Sequence, residues 1–263
     1  MLKIRQYVKA QSLEEAYELC QKKSSVVLGG MLWLKMQNRT VGTAIDLSGL
    51  GLDTIEETDT EYRIGAMVSL RTIETHPGLN AMTDNAVRDC LSPIIGVQFR
   101  NLATIGGSLW GRFGFSDPLT LFLALGAKVE LFHGGVVALE DFLEMSGEPD
   151  ILVRVLVPKT DVKTVYLSQR NTATDFPTLT CALCRRDGAY FCALGARPGR
   201  AKLYRDEKNL LAAGITGESA DAFGEELSNR AEFGSNLRGS AEYRQKISRV
   251  LVRRALLAMK EGK

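Results

Sequence analysis

Two glycine pairs, each directly behind a short strand-like run, constrain this chain more than any other feature. One stands in Ser25-Val26-Val27-Leu28-Gly29-Gly30-Met31, the other in Asn101-Leu102-Ala103-Thr104-Ile105-Gly106-Gly107-Ser108. Glycine carries no Cβ, so backbone in such a turn can approach a ligand closely. Successive N–H groups there form a concave anion site, typically for phosphate. Met31 to Gln37 reads as a short helix. The first pair would then sit at a helix N-terminus, where free N–H groups and the dipole favour negative charge. Two such turns predict two loops gripping one long phosphate-bearing ligand. A dinucleotide such as FAD meets that demand.

The surrounding periodicity divides the chain into three units: residues 1–53, 54–160 and 161–263. In the first, Lys3 to Val8, Ser25 to Leu28 and Thr43 to Leu47 read as strands. Ser12 with Glu15 three residues on marks a helix start, and Leu13, Ala16, Tyr17 and Cys20 give that helix one apolar face. This β-α-β-α-β order predicts a small parallel sheet. In the second unit, Tyr62 to Ala66, Val129 to Phe132, Val136-Val137 and Ile151 to Val157 read as strands. Helices are expected from Leu70, across Ala81 to Arg88, and over Asp117 to Leu125 with Pro118 at the permitted first position. The third unit opens with strands Thr164 to Arg170, Thr178 to Arg185 and Tyr190 to Ala196, the last two joined by an Arg186-Asp187-Gly188 turn. Helices follow over Lys208 to Ala213, Ala220 to Leu227 and Ser240 to Lys260, with a mobile loop expected at Phe233 to Gly239. The fold class is α+β: a two-part N-terminal region, then an α+β domain with a three-stranded antiparallel sheet and helices.

Composition removes several function classes. The formal net charge is only +2, and the basic residues from Arg244 to Arg254 fall at helical spacing, as on a solvated face. No nucleic-acid partner is expected. No apolar run approaches a membrane span, and the N-terminus shows no signal-peptide core, so the expected location is cytoplasmic. Five cysteines, an odd number, exclude a fully paired disulfide framework. Cys181 and Cys184 match a CxxC spacing inside a strand, where residues three apart point to opposite faces. No metal set is expected, and His76 and His133 read as turn residues.

The run Phe99-Arg100-Asn101 ahead of Thr104-Ile105-Gly106-Gly107, then Asp117 and Leu123-Ala124-Leu125-Gly126-Ala127, resembles the signature of one family. So do Val27-Leu28-Gly29-Gly30, Ile45-Asp46-Leu47-Ser48 and Ile64-Gly65-Ala66, and near the C-terminus Ser240 to Arg244 and Val250 to Leu256. That family is the FAD-binding medium subunit of molybdenum hydroxylases, such as xanthine dehydrogenase and aerobic carbon monoxide dehydrogenase. The resemblance implies a PCMH-type FAD-binding region. It implies a partnership with a molybdopterin-binding large subunit and a [2Fe-2S] small subunit, and electron delivery from FAD to NAD or another acceptor. It places Val27, Leu28, Gly29, Gly30, Met31 and Leu32, together with Thr104, Ile105, Gly106, Gly107 and Ser108, in two flavin-binding loops whose glycine N–H groups would meet the pyrophosphate. Asp117 matches an aspartate that bonds a flavin hydroxyl, although its position before Pro118 also reads as a helix cap. Isoalloxazine contacts would come from Trp33, from Leu152 or Val153, and from Phe176. Flavin itself carries the electrons, so few ionisable side chains are required.

The chain departs from that family at several points. Met31 stands where a small polar residue is usual, and Ser108 where asparagine is. Leu109 to Ser116 is bulky where the family is small and polar. Ile94 replaces an aromatic, and Leu167 a lysine, of xanthine dehydrogenase. These changes bear on flavin affinity and on the electron acceptor. Two alternatives accompany the main reading: a stand-alone flavin oxidase, and a structural subunit without flavin.

Overall fold

The computed structural model of the protein describes residues 1–262, and three sheets organise them. The first is parallel: β1 (Lys3–Lys9), β2 (Ser25–Leu28) and β3 (Thr40–Asp46), in the order β1-β3-β2. Helix α1 (Leu13–Cys20) starts at Ser12, whose Oγ accepts from the Glu15 N–H at 3.2 Å. Its apolar stripe packs over Ile45 and Leu47 and reaches Ile151 and Val153 of the second unit. The segment after Gly30, expected as a helix over Met31 to Gln37, forms only a 3-10 turn at Leu34–Met36.

The second sheet contains β4 (Ile55–Glu57), β5 (Glu61–Gly65), β6 (Lys128–Leu131), β7 (Gly135–Ala138) and β8 (Leu152–Pro158), all antiparallel, in the order β4-β5-β8-β6-β7. Between β5 and β6 the chain makes six short helices: α2 (Leu70–Glu74), α3 (Pro77–Met82), α4 (Ala86–Leu91), α5 (Val97–Leu102), α6 (Ile105–Trp110) and α7 (Asp117–Ala124). The helix expected across Ala81 to Arg88 is therefore two helices. Asp84 and Asn85 adopt left-handed backbone between them, which interrupts the hydrogen-bond ladder. Helix α8 (Leu139–Glu144) leads back toward β8.

The third sheet has four strands, not the expected three: β9 (Val162–Arg170), β10 (Pro177–Arg186), β11 (Ala189–Gly195) and β12 (Lys202–Arg205). The extra strand β12 is four residues long, too short for alternation to reveal it. One face packs on α7, where Tyr166, Ala182, Cys184 and Ala193 join the core of the second unit. The other face carries Cys181, Leu183, Cys192 and Leu194 under α9 (Gly217–Arg230) and α10 (Ala241–Glu261). Cys181 and Cys184 thus lie on opposite faces, as their spacing requires. Lys208 to Ala213 is a turn, not a helix. The Asp206 carboxylate accepts from the N–H groups of Leu210 and Leu211 at 2.9 and 2.8 Å, a local bond that competes with a helical ladder.

Arg244 is fully buried, against the solvated face that its spacing predicts. Its guanidinium donates to the carbonyls of Thr178, Ala196, Gly234 and Gly239 and to Asn236 Oδ1. Those bonds fasten residues 234–239 to the sheet, where the sequence predicts a mobile loop.

Helix α7 is the element that matters most for the site. All eight of its residues are buried, because it lies between the second unit and the third sheet. Thr120 Oγ1 and Thr180 Oγ1 bond across that contact at 2.9 Å. Gly195 makes the approach possible, since a Cβ there would lie 2.2 Å from Thr120 Oγ1. The first residue of α7 is consequently held where the helices of the second unit meet the third sheet.

Candidate functional site: a cleft between the two glycine loops

Past Leu28, the chain leaves the sheet at Gly29 and Gly30 and turns through Met31. Glycine is required here by packing. A Cβ on Gly30 would lie 1.9 Å from the Leu102 carbonyl oxygen, and one on Gly29 would lie 2.8 Å from Thr104 Oγ1. The two loops therefore rest against each other. Met31 has φ 59°, a left-handed conformation costing a non-glycine residue roughly 1–2 kcal/mol. The N–H groups of Gly29, Gly30, Met31 and Leu32 donate to no carbonyl or side chain among the described residues. Unpaired donors at the wall of a cleft form the kind of nest that binds phosphate.

The second pair is built differently. Gly106 and Gly107 lie in the first turn of α6, and Thr104 is its cap. The Gly106 N–H donates to the Ala66 carbonyl at 2.9 Å, and a Cβ there would lie 2.6 Å from the same oxygen. Gly106 thus serves the contact between α6 and the end of β5, and its N–H is already taken. The Gly107 N–H donates to Thr104 Oγ1 at 3.1 Å. Its Cα opens onto the cleft, because a Cβ would meet only Thr104 Oγ1, at 3.2 Å, within 4 Å. Ile105 is buried in the core. Ser108 borders the cleft and donates its hydroxyl to the Thr104 carbonyl at 2.9 Å.

The cleft holds about 620 Å³, within the range of small-molecule sites. Val27, Gly29 to Trp33, Thr104, Gly107, Ser108, Asp117 and Phe176 all border it, so it unites most of the residues singled out in the sequence. Ile94 and Ile95 line it too, and Ile95 has φ 52°, a rare conformation for a β-branched residue. Four aromatic rings cluster along one wall. Trp33 lies 5.4 Å from Phe176, 5.5 Å from Phe115 and 6.0 Å from Phe99, and Phe115 meets Phe176 edge-on at 4.7 Å. Arg238 covers the Phe176 ring at 4.7 Å. The bulky segment from Trp110 to Phe115 supplies part of this wall. Lys22, Lys23, Arg39 and Arg170 line the cleft against Asp117, Asp150 and Asp175, a balance that suits an anionic ligand.

Leu28, Leu152 and Val153 lie away from the main cleft. Leu28 and Leu152 border a second cavity of about 70 Å³ behind the glycine loops, and Trp110 stands between the two spaces. Val153 is packed in the core of the first unit.

Asp117 is only 4% exposed. It is not the cap of α7: Ser116 is, its Oγ accepting from the Leu119 N–H at 3.3 Å. Instead, Tyr166 Oη donates to Asp117 Oδ1 at 2.5 Å, and Arg170 Nη2 donates to the same oxygen. Burial pushes the Asp117 carboxyl up to about 6, with Arg170 and Tyr166 opposing the rise. Burial, with Asp117 beside it, pushes the Tyr166 hydroxyl well above its usual range. Tyr166 and Arg170 are the site residues missed from the sequence. Their signal was the period of two along β9, which puts residues 166, 168 and 170 on one face.

The geometry fits FAD: unpaired N–H donors for a pyrophosphate, an open glycine beside them, a carboxylate for a hydroxyl, and apolar rings for a flat heterocycle. A family described as the FAD binding domain in molybdopterin dehydrogenase matches residues 2–160. The medium subunit of nicotine 6-hydroxylase from Paenarthrobacter nicotinovorans is 26% identical, over 95% of each chain. Among solved structures, a chain of the Cu,Mo-CO dehydrogenase superposes with a TM-score of 0.87 at 23% identity, over the whole of both chains. A chain of carbon monoxide dehydrogenase from Hydrogenophaga pseudoflava gives 0.86 at 24% identity, over 98% of this chain and 97% of that one. Quinoline 2-oxidoreductase from Pseudomonas putida 86 gives 0.84 at 21% identity, over 97% and 96%. The likeness to these structures is one of fold, and the family match covers more than half of the sequence. The chain belongs to the FAD-binding domain family of the molybdopterin dehydrogenases.

Proposed function

We propose that the chain is the flavoprotein subunit of a multi-subunit molybdenum hydroxylase. In this reading a molybdopterin-binding large subunit oxidises the substrate, and a [2Fe-2S] small subunit carries the electrons to FAD on this chain. NAD or another acceptor then removes them. The observation that carries the proposal is the row of unpaired N–H groups from Gly29 to Leu32, beside the open Cα of Gly107 in the lining of the cleft. FAD supplies the electron-carrying chemistry when bound; this chain's residues bind and orient it. Gly29 to Leu32 hold the pyrophosphate, Asp117 accepts from a hydroxyl, and Trp33 and Phe176 wall the ring system. No helix among the described residues is long and apolar enough to cross a membrane.

A second reading, a structural subunit without flavin, is favoured by one observation. Part of the aromatic wall, Phe115 with Phe113 stacked on it, reaches into the cleft from a segment that is small and polar in the resembling family. Reconstitution with FAD, followed by co-purification with candidate large and small subunits, tests both readings. A yellow chain that assembles supports the first, and a colourless chain that still assembles supports the second.

A further inference from the structure

We infer that Tyr166 and Arg170 are positioning residues for the dinucleotide: they clamp one oxygen of Asp117, leave the other to accept from the ligand, and tie that carboxylate to the strap that carries Phe176. The inference rests on the reading of the cleft as a FAD site and adds to it two residues from a different sheet.

The geometry is specific. Asp117 opens α7 and borders the cleft. Tyr166 Oη and Arg170 Nη2 both donate to Oδ1, and no side chain among the described residues donates to Oδ2. Arg170 and Asp117 side chains are 7% and 6% exposed, so the pair is largely desolvated and its bonds are strong. Two donors on one oxygen fix the carboxylate plane and direct the remaining lone pairs. The same guanidinium donates through Nη1 to the Asp175 carbonyl at 2.5 Å and through Nε to Ser168 Oγ at 3.1 Å. Asp175 Oδ1 in turn accepts from the Phe176 N–H at 2.7 Å. One arginine therefore joins the hydroxyl acceptor to the aromatic wall, although the two lie in different units of the chain.

This arrangement also sets the protonation state that the ligand meets. A carboxylate accepts; a carboxylic acid presents a proton in its place. Burial alone favours the acid. The titratable groups facing Asp117 are Arg170 and Tyr166 on β9 and Cys90 on α4. Only Arg170 brings a positive charge, and with the Tyr166 hydroxyl it opposes the burial that favours the acid.

The test is a FAD titration of the full chain, monitored by flavin fluorescence from about pH 6 to about pH 9, where Asp117 alone among these groups changes state. Wild type should bind with little pH dependence above neutrality. Arg170→Met should weaken FAD about tenfold or more at neutral pH, the range of a charged hydrogen bond, and should regain affinity as pH rises and Asp117 ionises. Adding Asp117→Asn to that variant should abolish the recovery. Arg170→Lys should restore most of the neutral-pH affinity, because the charge returns. Tyr166→Phe keeps the charge and should lose only a few-fold. Should Arg170→Met fold poorly, Arg170→Lys and Tyr166→Phe still decide the matter, since both must bind less tightly than wild type. Variants with lower melting temperatures but wild-type, pH-independent affinity would reduce Tyr166 and Arg170 to a structural latch and overturn the inference. A wild-type chain that binds no FAD would overturn the reading beneath it, a result visible before any variant is made.

Discussion

Gly107→Val separates binding from folding because the four glycines of the two loops have different neighbours. At Gly107 a new Cβ meets only Thr104 Oγ1, at 3.2 Å, and otherwise points into the cleft. That hydroxyl needs to give by a few tenths of an ångström. Gly107 also lies within α6, where valine in place of glycine gains a few tenths of a kcal/mol of helix propensity, about 0.3 kcal/mol. The two effects nearly cancel, so the apo-protein should keep its stability to within about 1 kcal/mol. FAD meets a branched side chain where backbone was bare, and loss of one close phosphate contact of about 1.5–3 kcal/mol weakens binding roughly 10–100-fold. Gly106→Ala should show the reverse balance. Its Cβ would sit 2.6 Å from the Ala66 carbonyl, an overpacking of about 1–3 kcal/mol, and its N–H is already committed to that oxygen. The assay pairs FAD titration with melting of the apo-protein for both variants. Wild-type FAD affinity in Gly107→Val would refute the placement of the pyrophosphate. So would a melting loss in Gly107→Val as large as that of Gly106→Ala.

Three further outcomes are expected. The Asp117 carboxyl is raised in the folded state, so the stability it contributes is full below its unfolded value near 3.8 and is lost as pH rises through about 6; Asp117→Asn should therefore flatten the apo-protein's melting temperature across that window, and an unchanged slope would contradict the burial argument. Phe176→Ala opens the wall shared with Trp33 and Phe115, and should brighten bound flavin and shift its midpoint potential while weakening binding only modestly. A lower melting temperature with unchanged fluorescence and potential would show an ordinary core residue. Met31→Gly relieves the left-handed backbone at φ 59° but removes a side chain packed against Leu28, Val41 and Ala44, so apo-protein stability should stay within about 1 kcal/mol of wild type, with FAD affinity near wild type because the N–H remains. A loss of affinity instead would mean that the methionine side chain holds the ligand.

What the sequence revealed was what is local. The strand-to-glycine context of Gly29-Gly30, the capping of α1 by Ser12, the hairpin at Asp187-Gly188 and the opposite faces of Cys181 and Cys184 all depend on residues within a few positions of each other. The hidden features depend on distant backbone. Gly106 looks identical to Gly107 in sequence, and only the Ala66 carbonyl distinguishes them. Helix α6 begins with two of the poorest helix formers short of proline after its first residue, so propensity argued for a turn where Thr104 and tertiary packing impose a helix. Tyr166 and Arg170 lie 49 and 53 residues from Asp117, and no spacing rule joins them. Arg244 read as a surface arginine because its five acceptors are carbonyls and an amide from three separate segments rather than a nearby carboxylate.

The most direct measurement is the visible absorption spectrum of the purified full chain after incubation with FAD and removal of free ligand by gel filtration. The chain should emerge with about one FAD bound per chain, released as intact FAD when the protein is denatured, as a single cleft gripped by backbone donors requires. A folded, monodisperse chain that emerges colourless, with no rise in melting temperature in excess FAD, would contradict it.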